Sequence, residues 1–305
     1  MSSECDYNQP ILPASVSIHV NCRQTDEPYP QSDPPVFRCE LNDADVPWSS
    51  APTDYTPTDY SSPQLTASPF ADPELTADDD GTDFNPKWNA IDDEMRIDRR
   101  SFMGDYELGQ FGRPLNPIGR TGLSGRGKLG KWGPNHAVDA IVTRWKRSEG
   151  GKRLVKAGKP VLQFMAIRRK DAGMWAIPGG FIDPGENVTE ALLREFSEEV
   201  LNWKELGDSI EKDTLRQELS EFFSSTSVSV YRGYVDDVRN TDNAWMETQA
   251  VNCHDETGEL VNKLPLHAGD DAGALQWTDI SGHLNLYASH RDMVLATAMF
   301  RKAHV

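Results

Sequence analysis

Three glutamates, Glu195, Glu198 and Glu199, stand at positions i, i+3 and i+4 of one short segment. In an α-helix this spacing stacks the three carboxylates on one face. Like charges so close repel one another, and a divalent cation bound by carboxylate oxygens would offset that repulsion. Mg²⁺ fits best where phosphate oxygens complete its coordination shell. The alternative is a solvated acidic helix face, which is what most charge clusters are.

Two strands and two turns are predicted ahead of the glutamates. The apolar run at 162–167 is typical of a strand, and a second short strand ends at Ile177. Residues 178–180 (Pro-Gly-Gly) break the pattern, and 183–185 (Asp-Pro-Gly) are a turn signal. The glutamates are therefore predicted to follow a strand and a loop.

An amphipathic helix is predicted to carry the glutamates. Apolar residues recur at three- and four-residue steps over 188–196. Asn187 and Thr189 are both candidates for its N-cap, because either side chain can accept a hydrogen bond from a free backbone N–H.

The spacing over the whole window resembles the signature of the Nudix hydrolases. Gly180 is followed after five residues by Glu186, and after seven more by Arg-Glu-Phe-Ser-Glu-Glu at 194–199. The family usually continues with one residue, a glycine and an aliphatic residue, where this chain has Leu201 and Asn202. That departure lies where the helix ends and leaves the carboxylates intact.

The resemblance implies an α/β fold, an α/β/α sandwich around a mixed sheet, with a smaller N-terminal domain. In the family a loop–helix–loop binds Mg²⁺ or Mn²⁺ and hydrolyses a diphosphate linked to another group. On this chain the implied catalytic residues are the metal ligands Glu195, Glu198 and Glu199, with Glu186 and Arg194 in support. Arg194 would reach Glu198 at i+4 or fold back to Glu186. Glu198 or Glu199 is the first candidate for a general base, and an aspartate of 236–242 the second.

A polar loop is predicted after a strand at 228–235. Residues 236–248 bring carboxylates, amides, an arginine and an indole together, and loops so placed often carry binding groups. The arginine would pair with a phosphate, the indole would stack on a base or cover the core, and an aspartate would orient a water. An ordinary polar turn is the alternative. The candidate substrate contacts are Asp236, Asp237, Arg239, Asn240, Asp242, Trp245 and, from a later segment, Tyr287.

The same patterns predict further elements: strands at 140–145, 161–167, 248–254 and 275–277, and helices within 204–223 and around 293–298. A glycine-rich basic segment at 119–136 is interpreted as an anion-facing loop or as a connector between domains. Its glycine spacing nominally matches the dinucleotide-binding fingerprint, but Gly133 and Pro134 preclude the helix that the fingerprint needs. Tyr287 and His290, before the closing helix, are of types that more often complete a core than bind ligands.

Charge and cysteine content exclude several classes of protein. The net charge is −17, and residues 1–100 hold 6 Lys and Arg against 20 Asp and Glu, a local charge of −14. Nonspecific nucleic-acid binding needs a basic face, so no nucleic-acid partner is expected. No apolar run approaches the ~20 residues of a membrane span, so no membrane association is expected of this chain. The four cysteines show no zinc spacing or evident disulfide pairing, which favours a reducing compartment.

The length allows two domains. Residues 1–15 are expected to be a disordered leader, 16–118 an accessory domain and 119–305 the Nudix domain. A short strand is predicted at 15–20. The Pro, Asp, Ser and Thr content of 25–83 alone predicts loops or disorder.

Several segments resemble one branch of the family, the ADP-ribose pyrophosphatases of the animal mitochondrial type. They include 133–136, 143–145, 234–247 and 286–290, and the likeness covers most of the chain. It implies that the N-terminal region is folded, against its composition, and that the reaction converts ADP-ribose to AMP and ribose 5-phosphate. The acidic N-terminus lacks the pattern of a presequence, so a cytoplasmic location is expected, with mitochondria as the family alternative.

The same segments resemble the ADP-ribose-binding domain at the C-terminus of melastatin-type transient receptor potential cation channels. In the vertebrate channel domain the Nudix glutamates are degraded and the domain acts as a ligand sensor. Here all three glutamates are intact, which favours hydrolysis. The alternative function is an ADP-ribose sensor domain of a channel, and a third reading is a Nudix enzyme for another diphosphate. The chain is expected to be a monomer unless it is part of a channel.

Overall fold

The computed structural model describes residues 11, 18–75, 84–201, 210–264, 266 and 272–305. The strands within these ranges are β1 (Thr58–Ser61), β2 (Ile91–Asp92), β3 (Ile97–Asp98), β4 (Leu123–Gly127), β5 (Gly133–Trp145), β6 (Val155–Lys156), β7 (Lys159–Pro160), β8 (Leu162–Arg169), β9 (Trp175–Ala176), β10 (Gly179–Phe181), β11 (Ser227–Val235), β12 (Ala244–Asp255) and β13 (Ala272–Asp279). The α-helices there are α1 (Val188–Leu201), α2 (Ile210–Thr226) and α3 (His290–Phe300). None of these helices is long and apolar enough to cross a membrane.

A mixed sheet forms the centre of the structure. Its strand order is β11-β12-β5-β8-β13, with β10 paired to β5 and β9 to β8. Strands β5 and β12 run parallel over twelve residue pairs, from Gly133 opposite Ala244 to Arg144 opposite Asp255. The other pairings in this sheet are antiparallel. β10 contains the Gly-Gly segment, and its contacts with Glu195 and Glu199 place it beside the second half of α1.

The two faces of the sheet have separate cores. Along β5, Val138, Ala140 and Val142 pack with the apolar sides of α1 and α2. On the other face Ile141 packs in a cluster that includes Met293 of α3. Alternate residues of a strand point to opposite faces, so one strand serves both cores. Helices cover both faces, and the predicted α/β/α sandwich around a mixed sheet is confirmed.

Several element boundaries differ from the predictions. β5 begins at Gly133 instead of residue 140, and the glycine-rich segment contains β4, so it is not a plain loop. β12 begins at Ala244, which shortens the predicted 236–248 loop to 236–243. Of the helix predicted at 204–223, residues 204–209 lie outside the described part of the chain. These strands carry polar residues in buried positions, which hides them from a search for apolar runs.

The N-terminal region is folded although it has little regular structure. Over 18–75 the regular elements are β1 and short 3₁₀ turns. Tyr29 is 2% exposed and its hydroxyl donates to the Arg239 carbonyl at 2.8 Å. The guanidinium of Arg38 donates to the carbonyls of Val238 and Asn240, at 2.8 and 2.7 Å. A composition-based prediction cannot show that polar side chains of this region donate hydrogen bonds to buried backbone carbonyls, as these two do.

Two predictions for this region are therefore revised. Disorder over 25–83 is wrong for the described residues 25–75, and the folded N-terminal domain implied by the resemblance is present. The strand predicted at 15–20 is wrong for the described residues 18–20, which are not in a strand. The leader at 1–15 lies almost wholly outside the described residues. The domain boundary between residues 118 and 119 stays a prediction. Strand β1, on its N-terminal side, pairs with strand β4, on its C-terminal side.

A buried ion pair organises the N-terminal region. The two Nη atoms of Arg99 donate to the two carboxylate oxygens of Asp72, each at 2.9 Å. Their side chains are 1% and 0% exposed. Asp72 also accepts a hydrogen bond from the Trp132 backbone N–H at 2.9 Å, which ties this pair to the chain just before β5. Breaking a buried pair by removing one member leaves the other as an uncompensated charge.

We expect Arg99→Met to lower the free energy of unfolding by about 3–5 kcal/mol, because buried Asp72 loses its two-point partner and keeps only Lys131, whose Nζ is 3.9 Å away. The neighbouring Arg100 is the matched control, since its side chain is 54% exposed. Arg100→Met is expected to change the free energy by at most about 1 kcal/mol. Urea unfolding of both variants measures this. Equal effects of the two substitutions would contradict the claim that the buried Asp72–Arg99 ion pair stabilises the fold.

Candidate active site

The helix that carries the glutamates begins with a reciprocal cap. The backbone N–H of Glu190 donates to the Asn187 side-chain oxygen at 3.0 Å. The backbone N–H of Asn187 donates to the Glu190 carboxylate at 2.9 Å. This is a capping box, which satisfies two otherwise free donors. Of the two candidate caps, Asn187 is the one present.

Arg194 connects this helix to the turn before it. Its Nε and Nη2 donate to the two oxygens of Glu186, at 2.9 and 2.8 Å. Nη2 also donates to the Phe181 carbonyl at 2.8 Å, and Nη1 donates to Glu195 Oε1 at 2.7 Å. Of the two partners predicted for Arg194, Glu186 is the one bound in the structure. A planar guanidinium fork holds such a carboxylate in a fixed orientation.

Burial and pairing have opposite effects on the carboxylates that flank Arg194. Burial raises the pKa of Glu186, but the hydrogen bonds from Arg194 and from the Asp183 backbone outweigh it and leave that pKa lowered. Burial raises the pKa of Glu195, and the charges of Glu198 and Glu186 add to the rise, while Arg194 only partly opposes it. Glu195 is thus a carboxylate whose negative charge is incompletely compensated.

The three predicted metal ligands all lie on α1, but their side chains line two different hollows. Glu195 and Glu199 line a cavity of about 440 Å³ between α1, the sheet and the start of α3. Glu199 accepts a hydrogen bond from the Gly179 backbone N–H at 2.9 Å. Glu198 lines the neighbouring groove between α1 and α2. Helical spacing explains the split, because successive residues are rotated by about 100° around the helix axis.

The donor set fits a hard divalent cation. Carboxylate oxygens are the ligands that Mg²⁺ prefers, and the raised pKa of Glu195, caused by burial and by neighbouring carboxylates, marks negative charge in need of a counter-ion. Among the described residues no three His, Cys, Asp or Glu side chains already converge on one point. Glutamate has three rotatable side-chain bonds, so a shared face is enough for ligands to gather around an ion. Nudix hydrolases generally need a divalent metal.

Gly180 allows the close approach of Glu195. A Cβ atom built on Gly180 would lie 2.5 Å from Glu195 Cδ, so the Glu195 carboxylate would have to move away. The missing side chain therefore lets the carboxylate lie directly against β10. This is a steric reason for glycine at a position that the sequence signature fixes.

The opposite wall of the cavity carries three of the predicted substrate contacts, Asp237, Arg239 and Tyr287. Nε and Nη2 of Arg239 donate to the two oxygens of Asp237, at 2.7 and 2.9 Å. The Arg239 guanidinium carbon lies 5.7 Å from the centroid of the Phe181 ring. Tyr287 packs under Arg169, whose guanidinium carbon is 4.7 Å from the ring centroid. A fixed cation and an aromatic ring thus face the carboxylates of α1.

Two of the other predicted contacts attach the loop to the N-terminal region instead. Asp236 accepts hydrogen bonds from the backbone N–H groups of 20–22, at 2.6, 2.8 and 3.0 Å. Asp242 is buried and accepts hydrogen bonds from the Tyr55 hydroxyl at 2.6 Å and the Thr121 backbone N–H at 2.7 Å. Neither lines the cavity. The structure therefore places these two predicted substrate contacts outside the cavity.

Asn240 and Trp245 are also internal. Asn240 is 0% exposed and donates to the Tyr234 hydroxyl at 2.9 Å, while its side-chain oxygen accepts from the Met246 N–H at 2.8 Å. Trp245 is 0% exposed and donates to Glu247 at 2.7 Å. Of the two uses predicted for the indole, covering the core is the one present. Loop composition does not distinguish side chains that point inward from those that line a cavity.

The sequence interpretation missed a buried polar group in the cavity. His290 Nδ1 accepts a hydrogen bond from the Ile177 backbone N–H at 3.0 Å, so a neutral ring carries its proton on Nε2. Nε2 lies 3.6 Å from Asp139 Oδ1, and the Thr248 hydroxyl donates to Asp139 Oδ2 at 2.7 Å. Burial lowers the pKa of His290, against the charge of Asp139. The sequence feature that could have pointed to this group is Asp139, the one carboxylate within an otherwise largely apolar strand.

The fold and the site define a hydrolase class in which a capped helix presents carboxylates beside a glycine-bearing strand. The chain matches the family models "NUDIX domain" over residues 154–293 and "NUDT9-like, N-terminal domain" over residues 41–133. It belongs to the Nudix hydrolase family.

The relatives that are similar over most of this chain include the following three. The ADP-ribose pyrophosphatase, mitochondrial, of Rattus norvegicus is 49% identical over 91% of this chain and 77% of that protein. The putative nudix hydrolase 6 of Caenorhabditis elegans is 44% identical over 91% of this chain and 95% of that protein. The transient receptor potential cation channel subfamily M member-like 2 of Nematostella vectensis is 43% identical over 97% of this chain, which spans 18% of that protein.

Gly180→Ala is expected to reduce diphosphate hydrolysis about 10- to 100-fold, the usual cost of displacing a group that supports a metal ligand. The new methyl group would push the Glu195 carboxylate off β10. Gly150→Ala is the control, because the nearest atom to a Cβ there is 3.9 Å away. Steady-state rates and thermal midpoints of both variants are measured. A fully active Gly180→Ala enzyme would contradict the steric account.

Asp237→Asn is expected to destabilise the protein by about 2 kcal/mol near neutral pH. Burial raises the pKa of Asp237, but pairing with Arg239 outweighs it and leaves the pKa lowered. A lowered folded-state pKa gives stability that is present above the ordinary aspartate pKa and is lost as pH falls through the folded-state pKa. The difference from wild type should therefore shrink below about pH 4.

The pH series uses urea unfolding, with Asp213→Asn as the control because Asp213 is exposed on α2. A difference for Asp237→Asn that is independent of pH would show that the ion pair with Arg239 is not its source.

Proposed function

We propose that this protein hydrolyses the diphosphate of ADP-ribose to AMP and ribose 5-phosphate in a Mg²⁺-dependent reaction, with Mn²⁺ as the alternative ion. The observation that carries the proposal is the intact set Glu195, Glu198 and Glu199 on a helix fixed by Arg194. The rat relative bears the name of this activity. A cavity of about 440 Å³ adjoins the carboxylates and is walled on the far side by Arg239 and Tyr287.

We assign the divalent cation to the α1 wall of the cavity and the phosphate and ribose or base to the wall formed by Arg239 and Tyr287. A bound divalent cation supplies charge neutralisation for a diphosphate and lowers the pKa of water. Glu195, Glu198 and Glu199 would hold that ion, and Arg194 keeps Glu195 oriented towards the cavity. Arg239, whose plane is fixed by Asp237, has N–H groups left to donate to a phosphate oxygen. Tyr287 offers a ring edge or face to the ribose or the base.

Proton removal from the attacking water is assigned to Glu198 or Glu199. Both lie on α1. Glu199 lines the cavity and is oriented by the Gly179 N–H, while Glu198 lines the neighbouring groove one residue away. The loop aspartates are poorer candidates. Asp237 is paired with Arg239 and its pKa is lowered despite burial, while Asp236 and Asp242 accept hydrogen bonds away from the cavity. This ranks the glutamates ahead of any aspartate of 236–242.

An ADP-ribose sensor is the second candidate function. The observation that favours it is the 43% identity to the Nematostella channel, of which this chain spans 18%. A sensor needs the wall formed by Arg239 and Tyr287 but has no use for a complete carboxylate set. The intact glutamates therefore rank hydrolysis first.

Location and assembly remain expectations. The rat relative is described as mitochondrial, and a cytoplasmic location stays a prediction for this chain. A monomer is proposed for the isolated chain.

We expect the purified chain to convert ADP-ribose to AMP in the presence of Mg²⁺, as followed by chromatographic separation of nucleotides. Glu198→Gln and Glu199→Gln should each abolish most of the product, because a neutral amide neither binds a hard cation well nor accepts a proton. Glu218→Gln, an exposed change on α2, is the matched control.

Stabilisation of the wild type by ADP-ribose in a thermal-shift assay, without any AMP, would overturn hydrolysis in favour of the sensor. A faster reaction with another nucleoside diphosphate sugar would overturn the substrate assignment while leaving the diphosphate chemistry in place.

A further inference from the structure

A hairpin of the N-terminal region reaches the turn that precedes α1. Strands β2 and β3 form this hairpin, and residues 93–96 connect them. The backbone N–H of Gly185 donates to the Arg96 carbonyl at 2.7 Å. A Cβ atom built on Gly185 would overlap the Arg96 guanidinium, so that group covers the glycine. Gly185 has φ +80°, which a side chain would strain in any case.

The same turn is held from the helix side. The Asp183 N–H donates to the Glu186 carboxylate at 3.1 Å, and the Glu186 N–H donates to the Asp183 carbonyl at 3.0 Å. Arg194 then binds both Glu186 and Glu195. A continuous series of contacts therefore runs from the N-terminal hairpin, through the turn, to a carboxylate that lines the cavity.

The hairpin itself is rigidly attached to the N-terminal region. Asp92 is 3% exposed, accepts a hydrogen bond from the Met95 N–H at 3.3 Å and lies 3.5 Å from the buried Arg99. Arg96 has φ +58°, a conformation that is uncommon for a residue with a long side chain. Such a conformation persists only where the surroundings hold it. The hairpin thus presents the Arg96 carbonyl to the turn, and the exposed Arg96 side chain lies against Gly185.

The chemistry of Arg96 differs from that of the other arginines around the site. Arg194 and Arg239 each form fork-shaped pairs with a carboxylate. Within the described residues no ion pair is found for the Arg96 side chain, which instead lies flat on a glycine. Its contribution is therefore contact and shape at the turn, and the deletion of its guanidinium would leave the turn open on that side.

We propose that Arg96 is a positioning residue for the hydrolytic site: the N-terminal region, through Arg96, holds the 183–186 turn and thereby keeps Arg194 and Glu195 in the geometry that binds the divalent cation. This rests on the proposed function for its catalytic readout. It also assigns the N-terminal region a task in catalysis beyond packing against the sheet.

Arg96→Asn tests the proposal with the least disturbance of the backbone, because asparagine tolerates positive φ better than other side chains. Arg100→Asn is the matched control, since Arg100 is exposed, two residues beyond β3, and pairs with Asp98. Hydrogen exchange of the Gly185 and Glu186 amides is measured in the metal-free protein. Thermal midpoints, kcat, KM and the Mg²⁺ concentration for half-maximal rate are measured beside it.

Arg96→Asn is expected to speed exchange at Gly185 and Glu186, raise the half-maximal Mg²⁺ concentration several-fold and lower kcat about 10-fold. KM for ADP-ribose and the thermal midpoint should stay near wild type, which a general loss of folding would not allow. Unchanged exchange with unchanged metal dependence would overturn the proposal, as would a change in KM alone, which would make Arg96 a substrate contact. If the wild type produced no AMP, the proposed function would fail, and the exchange measurement would still decide the role of Arg96.

Discussion

The Arg194 guanidinium is the interaction on which the site depends. Its Nε and Nη2 donate to Glu186, and Nη2 also donates to the Phe181 carbonyl. Its Nη1 donates to Glu195. Through these contacts the turn, strand β10 and helix α1 take a single relative position. Burial and the neighbouring carboxylates raise the pKa of Glu195 even so. One cation therefore orients the carboxylates without neutralising all of them, and the proposed divalent ion would offset the remaining charge.

The second wall of the cavity is stabilised by the N-terminal region. Loop 236–243 is held at both ends by contacts with residues far away in sequence: Asp236 by the backbone of 20–22, and Asp242 by Tyr55 and Thr121. Between these anchors Asp237 and Arg239 face the cavity. The polar residues of one loop thus have two tasks: some fix the loop, and others face a ligand. This is a physical reason for an enzyme of this kind to have an accessory region with little secondary structure of its own.

Local spacing was enough to predict the helix and to narrow its N-cap to two residues, of which one is present. Asn187 caps α1, and the predicted strands at 162–167 and 228–235 fall within β8 and β11. Contacts that are distant in sequence were not predictable in the same way. His290 accepts its hydrogen bond from Ile177, 113 residues earlier, and faces Asp139 on another strand. The 236–248 loop prediction includes Trp245 because its polar neighbours obscure the start of β12. Its burial against Tyr106 and Tyr234, which are distant or on another strand, cannot be read from local sequence.

The most direct test of this account is the affinity for Mn²⁺, measured by electron paramagnetic resonance on wild type and on Arg194→Lys. Lysine keeps the positive charge but lacks the planar fork that joins Glu186 to Glu195. The account predicts that wild type binds the ion and that Arg194→Lys, still folded by circular dichroism, binds it at least about 10-fold more weakly. Equal affinities in the two proteins would contradict the claim that Arg194 sets the geometry of the carboxylate face.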